Sequence, residues 1–118
     1  MKVSKIDTFF LFNSCTSLRT LDLSSFDTSN IIVKENEYYG YSFMFVNCSS
    51  LETVYVSELW QVPSSLSSQI TFNGCSTNLK GQNGTTWSSS RITALYARID
   101  DPDNGQPGYF TYKEAPTS

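Results

Sequence analysis

Three cysteines are the residues of this 118-residue chain best suited to chemistry, and each follows a phenylalanine by three positions. The segments are Phe12–Cys15, Phe45–Cys48 and Phe72–Cys75. Thiols can form disulfides, bind metals or act as nucleophiles, but most zinc sites and cysteine triads also draw on histidine. The chain has no histidine and no C-x-x-C motif. Two interpretations remain: the thiols fill a buried core, or two of them form a disulfide and the third is left over.

A second group of reactive side chains lies in an acidic stretch made of Asp100, Asp101, Asp103 and Asn104. Calcium loops need oxygen ligands at alternating positions and a distal bidentate glutamate. The position where that glutamate would fall is Tyr112. We therefore expect a solvated hairpin turn here, with no metal and no cofactor.

Composition limits the function classes. Lysine and arginine total 8 against 11 acidic residues, so the chain lacks the basic clusters that nucleic acids and anionic membranes require. No stretch of 18 apolar residues predicts a transmembrane helix, and the start of the chain is too polar to predict a secretory signal. Without histidine or a convergent carboxylate pair, we do not expect an enzyme.

The elements that position these residues follow from a recurring pattern. Each cysteine is followed by small polar residues and then a leucine, at Leu18, Leu51 and Leu79. Self-similarity at this spacing is typical of stacked repeats, and L-x-x-L-x-L is the strand pattern of leucine-rich repeats. The sequence predicts an α/β repeat solenoid, leucine-rich-repeat-like, with short parallel strands and helical or 3₁₀ turns.

The C-terminal part differs. Ile92–Ile99 and Tyr109–Tyr112 alternate like strands, and turn-forming residues separate them, which predicts a β-hairpin capping the solenoid. Cysteine spacings of 33 and then 27 residues predict an insertion near 31–40. The expected domains are residues 1–86, with about three units, and a capping hairpin and tail over 87–118.

The recurring residues resemble a known family. Leu21–Asn30, Met44–Phe45 and Cys48–Leu51 resemble the repeats of BspA-like bacterial surface proteins, which are related to leucine-rich repeats and recur about every 26 residues. Tyr96–Asp100 and Pro107–Thr111 resemble the terminal unit of that family. The resemblance implies export, surface exposure and adhesion or partner binding, and it implies no catalytic residues.

The expected function is therefore that of a bacterial cell-surface or secreted repeat module that binds a protein or glycan non-covalently. The alternative is a structural cap or spacer of a longer repeat array, with no ligand of its own. Candidate partner-binding residues lie beside the predicted insertion and on the outward face of the predicted strands. They are Tyr38, Tyr39 and Tyr41 at the insertion, and Thr20, Asp22, Thr53 and Tyr55 on the strands.

The first predicted strand, Leu18–Leu23, has no capping element of its own ahead of it. Proteins usually cover such an edge, because it presents unpaired backbone groups. We expect Met1–Ile6 to fold over it, or two chains to meet there as a homo-oligomer, or the chain to belong to a longer array.

Overall fold

The computed structural model describes residues 11–29, 41, 43–62 and 69–116. Regular structure in this part of the chain consists of three short strands and two 3₁₀ turns, with no α-helix. The strands are β1 (Thr20–Asp22), β2 (Thr53–Val56) and β3 (Phe110–Tyr112). The 3₁₀ turns are Ala94–Tyr96 and Pro102–Asn104. The predicted insertion near 31–40 and the predicted covering segment Met1–Ile6 lie outside the described residues.

The strands form one parallel sheet in the order β1-β2-β3. Leu21 lies opposite Val54, which lies opposite Phe110 on the other side. Val54 and Phe110 are buried, whereas Asp22 is exposed and Tyr55 is half-buried. The alternation of inward apolar and outward polar residues predicted for β1 and β2 is confirmed, since successive strand side chains point to opposite faces.

The predicted α/β repeat solenoid is wrong. The described residues are mostly turns and irregular segments around a single three-stranded sheet, and the molecule measures 35 × 31 × 30 Å, without a long axis. A local reason is visible before each cysteine, where Ser14, Asn47 and Gly74 all have positive φ. An α-helix cannot pass through a left-handed residue, so these segments form tight turns instead of helical ones.

The predicted C-terminal β-hairpin is also wrong. Ala94–Tyr96 is a 3₁₀ turn, and Ile99 makes an isolated parallel bridge to Phe110 rather than an antiparallel ladder. The Ala94 N–H donates to Gln69 O at 2.9 Å, so this segment pairs with other parts of the chain. The strand β3 pairs with β2, at the edge that β1 leaves open. The predicted division after residue 86 stays a prediction.

The core is organised around a row of phenylalanine rings. Phe45 stacks on Phe12 with ring centroids 5.6 Å apart and on Phe72 at 5.3 Å, and the rings of the second pair are almost parallel. Phe110 from β3 is nearly perpendicular to Phe45, with the ring centroids 5.9 Å apart. Stacked and edge-on geometries suit the quadrupoles of aromatic rings, so the row adds ring–ring attraction to the burial of apolar area.

The three Phe-x-x-Cys segments also contact one another through the backbone. The Ser14 N–H donates to Val46 O at 2.7 Å, and the Asn47 N–H donates to Asn73 O at 2.8 Å. These bonds satisfy the polar backbone groups of segments that have no regular secondary structure, which burial requires. The repeated sequence pattern therefore marks segments that pair with one another through the backbone.

Gly74 illustrates why glycine is needed at one of these positions. Its φ is +79°, and a Cβ atom there would overlap the Asn47 side chain. We expect Gly74→Ala to lower the free energy of unfolding by about 2 kcal/mol, from left-handed strain and crowding together. Gly84→Ala is the matched control, since Gly84 has φ +93° but open space at the Cβ position. Gly84→Ala should lower the free energy of unfolding, measured with urea, by only about 1 kcal/mol. Equal losses for the two variants would contradict crowding at Gly74.

Candidate binding face on the parallel sheet

The outward face of the sheet carries one row of polar side chains in register. Asp22 of β1 lies opposite Tyr55 of β2, and Tyr55 lies opposite Thr111 of β3. One row earlier, Thr20 lies opposite Thr53. Adjacent strands are about 4.8 Å apart, so the row spans roughly 10 Å and holds its side chains at fixed spacing.

Lys113, directly after β3, crosses this row. Its Nζ lies 2.5 Å from Asp22 Oδ2 and 5.7 Å from the centroid of the Tyr55 ring. The Lys113 N–H donates to Val56 O at 2.9 Å, which fixes the start of the side chain. Asp22 and Lys113, which are 91 positions apart in the sequence, therefore meet above the Tyr55 ring. A cation over an aromatic face gains an electrostatic attraction.

Asp22 is held as a carboxylate by its donors. The hydrogen bond from Lys113 and those from the hydroxyl and N–H of Ser24 lower the pKa of Asp22 to about 2. The Ser24 contacts measure 2.6 Å from the hydroxyl and 2.9 Å from the N–H. The Asp22–Lys113 ion pair is solvent-exposed, so it orients the two side chains but adds little to the stability of the fold.

A second tyrosine, Tyr112, ends β3 on the side of the sheet opposite Tyr55, since it lies opposite Val56. Tyr112 is 46% exposed, and its hydroxyl donates to Glu58 at 3.1 Å. This bond raises the pKa of Tyr112. The Tyr112 N–H donates to Gln82 Oε1 at 2.8 Å. The outward face thus combines one aromatic side chain, three threonine hydroxyls and one ion pair, and we call this set the sheet face. Its members are Thr20, Asp22, Thr53, Tyr55, Thr111 and Lys113.

Four of the residues predicted from the sequence lie together on the sheet face: Thr20, Asp22, Thr53 and Tyr55. Its remaining members, Thr111 and Lys113, are not among the residues predicted from the sequence. The available signal was weak, because a Thr-Tyr-Lys run in a presumed hairpin does not indicate that its strand pairs with β2.

Tyr41 requires a correction, because it is buried and does not contribute to an exposed aromatic cluster. Its ring packs on Trp60 at 5.6 Å, and its hydroxyl donates to Gln61 O. Its N–H donates to Gln69 Oε1 at 3.0 Å. Burial raises the pKa of Tyr41 to about 12. The other two tyrosines of the predicted cluster, Tyr38 and Tyr39, lie outside the described residues.

The cysteine thiols are free, and two of them bridge the core. Cys48 lies with Sγ 3.0 Å from Phe12 O, and Cys75 with Sγ 3.2 Å from Phe45 O. Burial raises the pKa of Cys48 to about 11 and that of Cys75 to about 12. Both thiols are therefore protonated at neutral pH and act as weak donors rather than nucleophiles. Cys15 is half-buried at the edge of the core.

Asp100 is buried, which differs from the solvated turn expected for the acidic stretch. Its carboxylate accepts hydrogen bonds from the N–H groups of Asn83 and Thr85, from the Thr85 hydroxyl and from the Gly108 N–H, at 2.6–3.2 Å. Burial alone would raise the pKa of Asp100, but the bonds from Thr85, Gly108 and Asn83 outweigh it and lower the pKa. These donors use the acceptor positions of the carboxylate. Asp100 therefore connects the loop at 83–85 to the backbone at Gly108 and does not offer a free metal ligand.

Glycine makes this close approach around Asp100 feasible. A Cβ atom on Gly81 would overlap Gly108 O and the Asp100 side chain, and one on Gly108 would overlap Arg98 O.

In residues 11–29, 41, 43–62 and 69–116, no three histidine, cysteine or acidic side chains converge as metal ligands, and no helix is long and apolar enough to cross a membrane. Comparisons with protein-family models, curated proteins and solved structures found no match.

Proposed function

We propose that this chain is a non-catalytic binding module whose sheet face holds a protein or glycan non-covalently. The observation that carries the proposal is Tyr55 on the central strand, whose ring lies beneath Lys113 while Lys113 is paired with Asp22. Tyrosine buries a large area at low entropic cost and retains a polar end, which is why it is enriched at contacts with partners.

The groups around Tyr55 support a polar partner. Threonine hydroxyls at Thr20, Thr53 and Thr111 offer donors and acceptors that lie in register on rigid strands. Such preorganisation lowers the entropic cost of binding, because few side chains have to be ordered on contact. The resemblance to BspA-like proteins supports display at a bacterial cell surface or secretion.

The test is binding to an array of glycans and to purified surface proteins. We expect Tyr55→Ala and Lys113→Ala each to weaken binding about tenfold, as central interface residues do. Arg91→Ala is the matched control, since Arg91 is an exposed cation outside the sheet face. Each variant should keep the thermal transition of the wild type to within a few degrees. Equal binding by all three variants, or no ligand bound by the wild type, would contradict the proposal.

A second function, that of a structural spacer or terminal cap without a ligand, is favoured by one observation. Leu11 is 42% exposed, and Phe12, Cys15 and Leu18 beside it are only half-buried. An apolar end of this kind suits contact with another chain or with the rest of a larger assembly. Self-association in analytical ultracentrifugation that Leu11→Ser abolishes would support this role, and a monomer at every concentration would count against it.

A further inference from the structure

A cleft of about 350 Å³ opens beside Trp60, away from the sheet face. That volume lies at the lower end of the range of about 300–1,000 Å³ found for small-molecule pockets. Its walls are formed by the segment after β2 and by residues around the 3₁₀ turn Ala94–Tyr96. The apolar lining is Trp60, Val62, Leu95 and Ile99.

One cation faces this apolar lining. Arg98 is half-buried, and its Nε donates to Pro107 O at 3.0 Å, which holds the guanidinium in place. Its terminal nitrogens make no hydrogen bond or ion pair with any described residue. A partly desolvated charge without a counterion is unfavourable, so an anion in the cleft would be bound with more than surface strength.

The acidic groups next to Arg98 in the chain are engaged elsewhere. The Asp100 carboxylate is bonded to Asn83, Thr85 and Gly108, and Asp101 Oδ2 accepts from Asn104 at 2.9 Å. The remaining polar residues of the lining are Gln61 and Gln106, both of which are exposed. Amide N–H groups and a guanidinium fork are donors that suit a carboxylate head group.

We propose that this cleft binds a small amphipathic carboxylate, with its head group on Arg98 and its apolar body against Leu95, Ile99 and Trp60. The apolar part of the lining favours a ligand with an apolar body over a fully hydrated anion such as free phosphate. The site shares no residue with the sheet face and does not rest on the function proposed for it.

The first experiment compares naphthalene-2-carboxylate with its neutral analogue naphthalene-2-carboxamide by two-dimensional amide NMR titration. The carboxylate should bind about tenfold more tightly than the amide, because only the carboxylate forms a charge-assisted pair with Arg98. The indole N–H signal of Trp60 should shift, since its ring lines the cleft. The indole signal of Trp87, which donates to Phe72 O at 2.9 Å, should stay in place as an internal reference.

Variants of the cleft test the contribution of the Arg98 charge and that of the apolar lining separately. Arg98→Gln should weaken the carboxylate about tenfold and leave the carboxamide unchanged, whereas Leu95→Ala should weaken both probes. Arg91→Gln is the charge-matched control and should alter neither affinity. Arg98→Lys, which keeps the charge, should retain part of the preference for the carboxylate even if Arg98→Gln fails to fold. Equal affinity for the two probes, shifts outside the cleft, or no binding at millimolar probe would each overturn the proposal.

Discussion

Replacement of Asp100 by asparagine is expected to lower the free energy of unfolding by about 3–5 kcal/mol, as loss of a buried, hydrogen-bonded charge does. The carboxylate is fully buried and accepts from Thr85, Asn83 and Gly108. An asparagine would present an NH₂ group to donors that have no other acceptor. Urea unfolding measures the loss, and Asp103→Asn, the same change at an exposed position of the neighbouring turn, should cost less than about 0.5 kcal/mol.

The same carboxylate gives the stability a definite dependence on pH. Its pKa in the folded chain is lowered, and an unfolded aspartate titrates near pH 3.9. The stabilisation from Asp100 is therefore fully present above that unfolded value and is lost as the pH falls through the folded pKa. The difference in unfolding free energy between the wild type and Asp100→Asn should shrink below about pH 4. A difference that stays constant down to acid unfolding would show that the lowered pKa does not contribute.

Replacement of Phe45 by alanine is expected to cost about 3–5 kcal/mol, because it opens a cavity in the middle of the ring row. Phe45 is fully buried, with Phe12 and Phe72 on its two faces and Phe110 at its edge. Domains of this size have total stabilities of about 5–15 kcal/mol, so this one change removes a large share. The measurement is urea unfolding followed by circular dichroism.

Phe12→Ala is the internal control for this prediction. Phe12 is half-buried, and among the described residues it stacks on one ring, that of Phe45. It should therefore cost roughly half as much as Phe45→Ala, because less area is uncovered and less cavity remains. A larger loss at Phe12 than at Phe45 would contradict a core centred on the middle ring.

The sequence predicted the inward and outward residues of β1 and β2 but not the architecture. Strand alternation is a local property of the backbone, so the sequence places Asp22 and Tyr55 on the outward face, as the structure does. The positive φ angles at Ser14 and Asn47 are not encoded by residue type as clearly as at glycine. From residue types alone, the apolar segments before the cysteines match a helical pattern, and that pattern leads to the predicted solenoid.

The predicted hairpin failed for a different reason. Turn residues after Ile99 do form a turn, at Pro102–Asn104, so the local signal was correct. The alternation of apolar and polar residues does not determine which strand β3 pairs with. In the structure β3 pairs with the edge of β2 that β1 leaves open. This choice brings Thr111 and Lys113 to the sheet face, so part of the candidate site depends on a long-range contact that the sequence pattern does not contain.

Tyr41 shows the limit of arguing from loop position. A tyrosine beside a predicted insertion was expected to be exposed, yet its ring fills a space beside Trp60 and its hydroxyl has an acceptor at Gln61. Burial of a tyrosine depends on whether the fold supplies both an apolar pocket and a partner for the hydroxyl. Neither can be read from the neighbouring residues in the sequence.

The parallel pairing of β3 with β2 places Lys113 over Tyr55 and beside Asp22. Nuclear Overhauser contacts in isotope-labelled protein test this pairing directly. We expect contacts between the Lys113 amide and the Val56 backbone, and between Tyr55 and Thr111 across a parallel pair. An antiparallel pattern joining residues 92–99 to 109–112, with no contact between β2 and β3, would contradict both the fold and the binding face built on it.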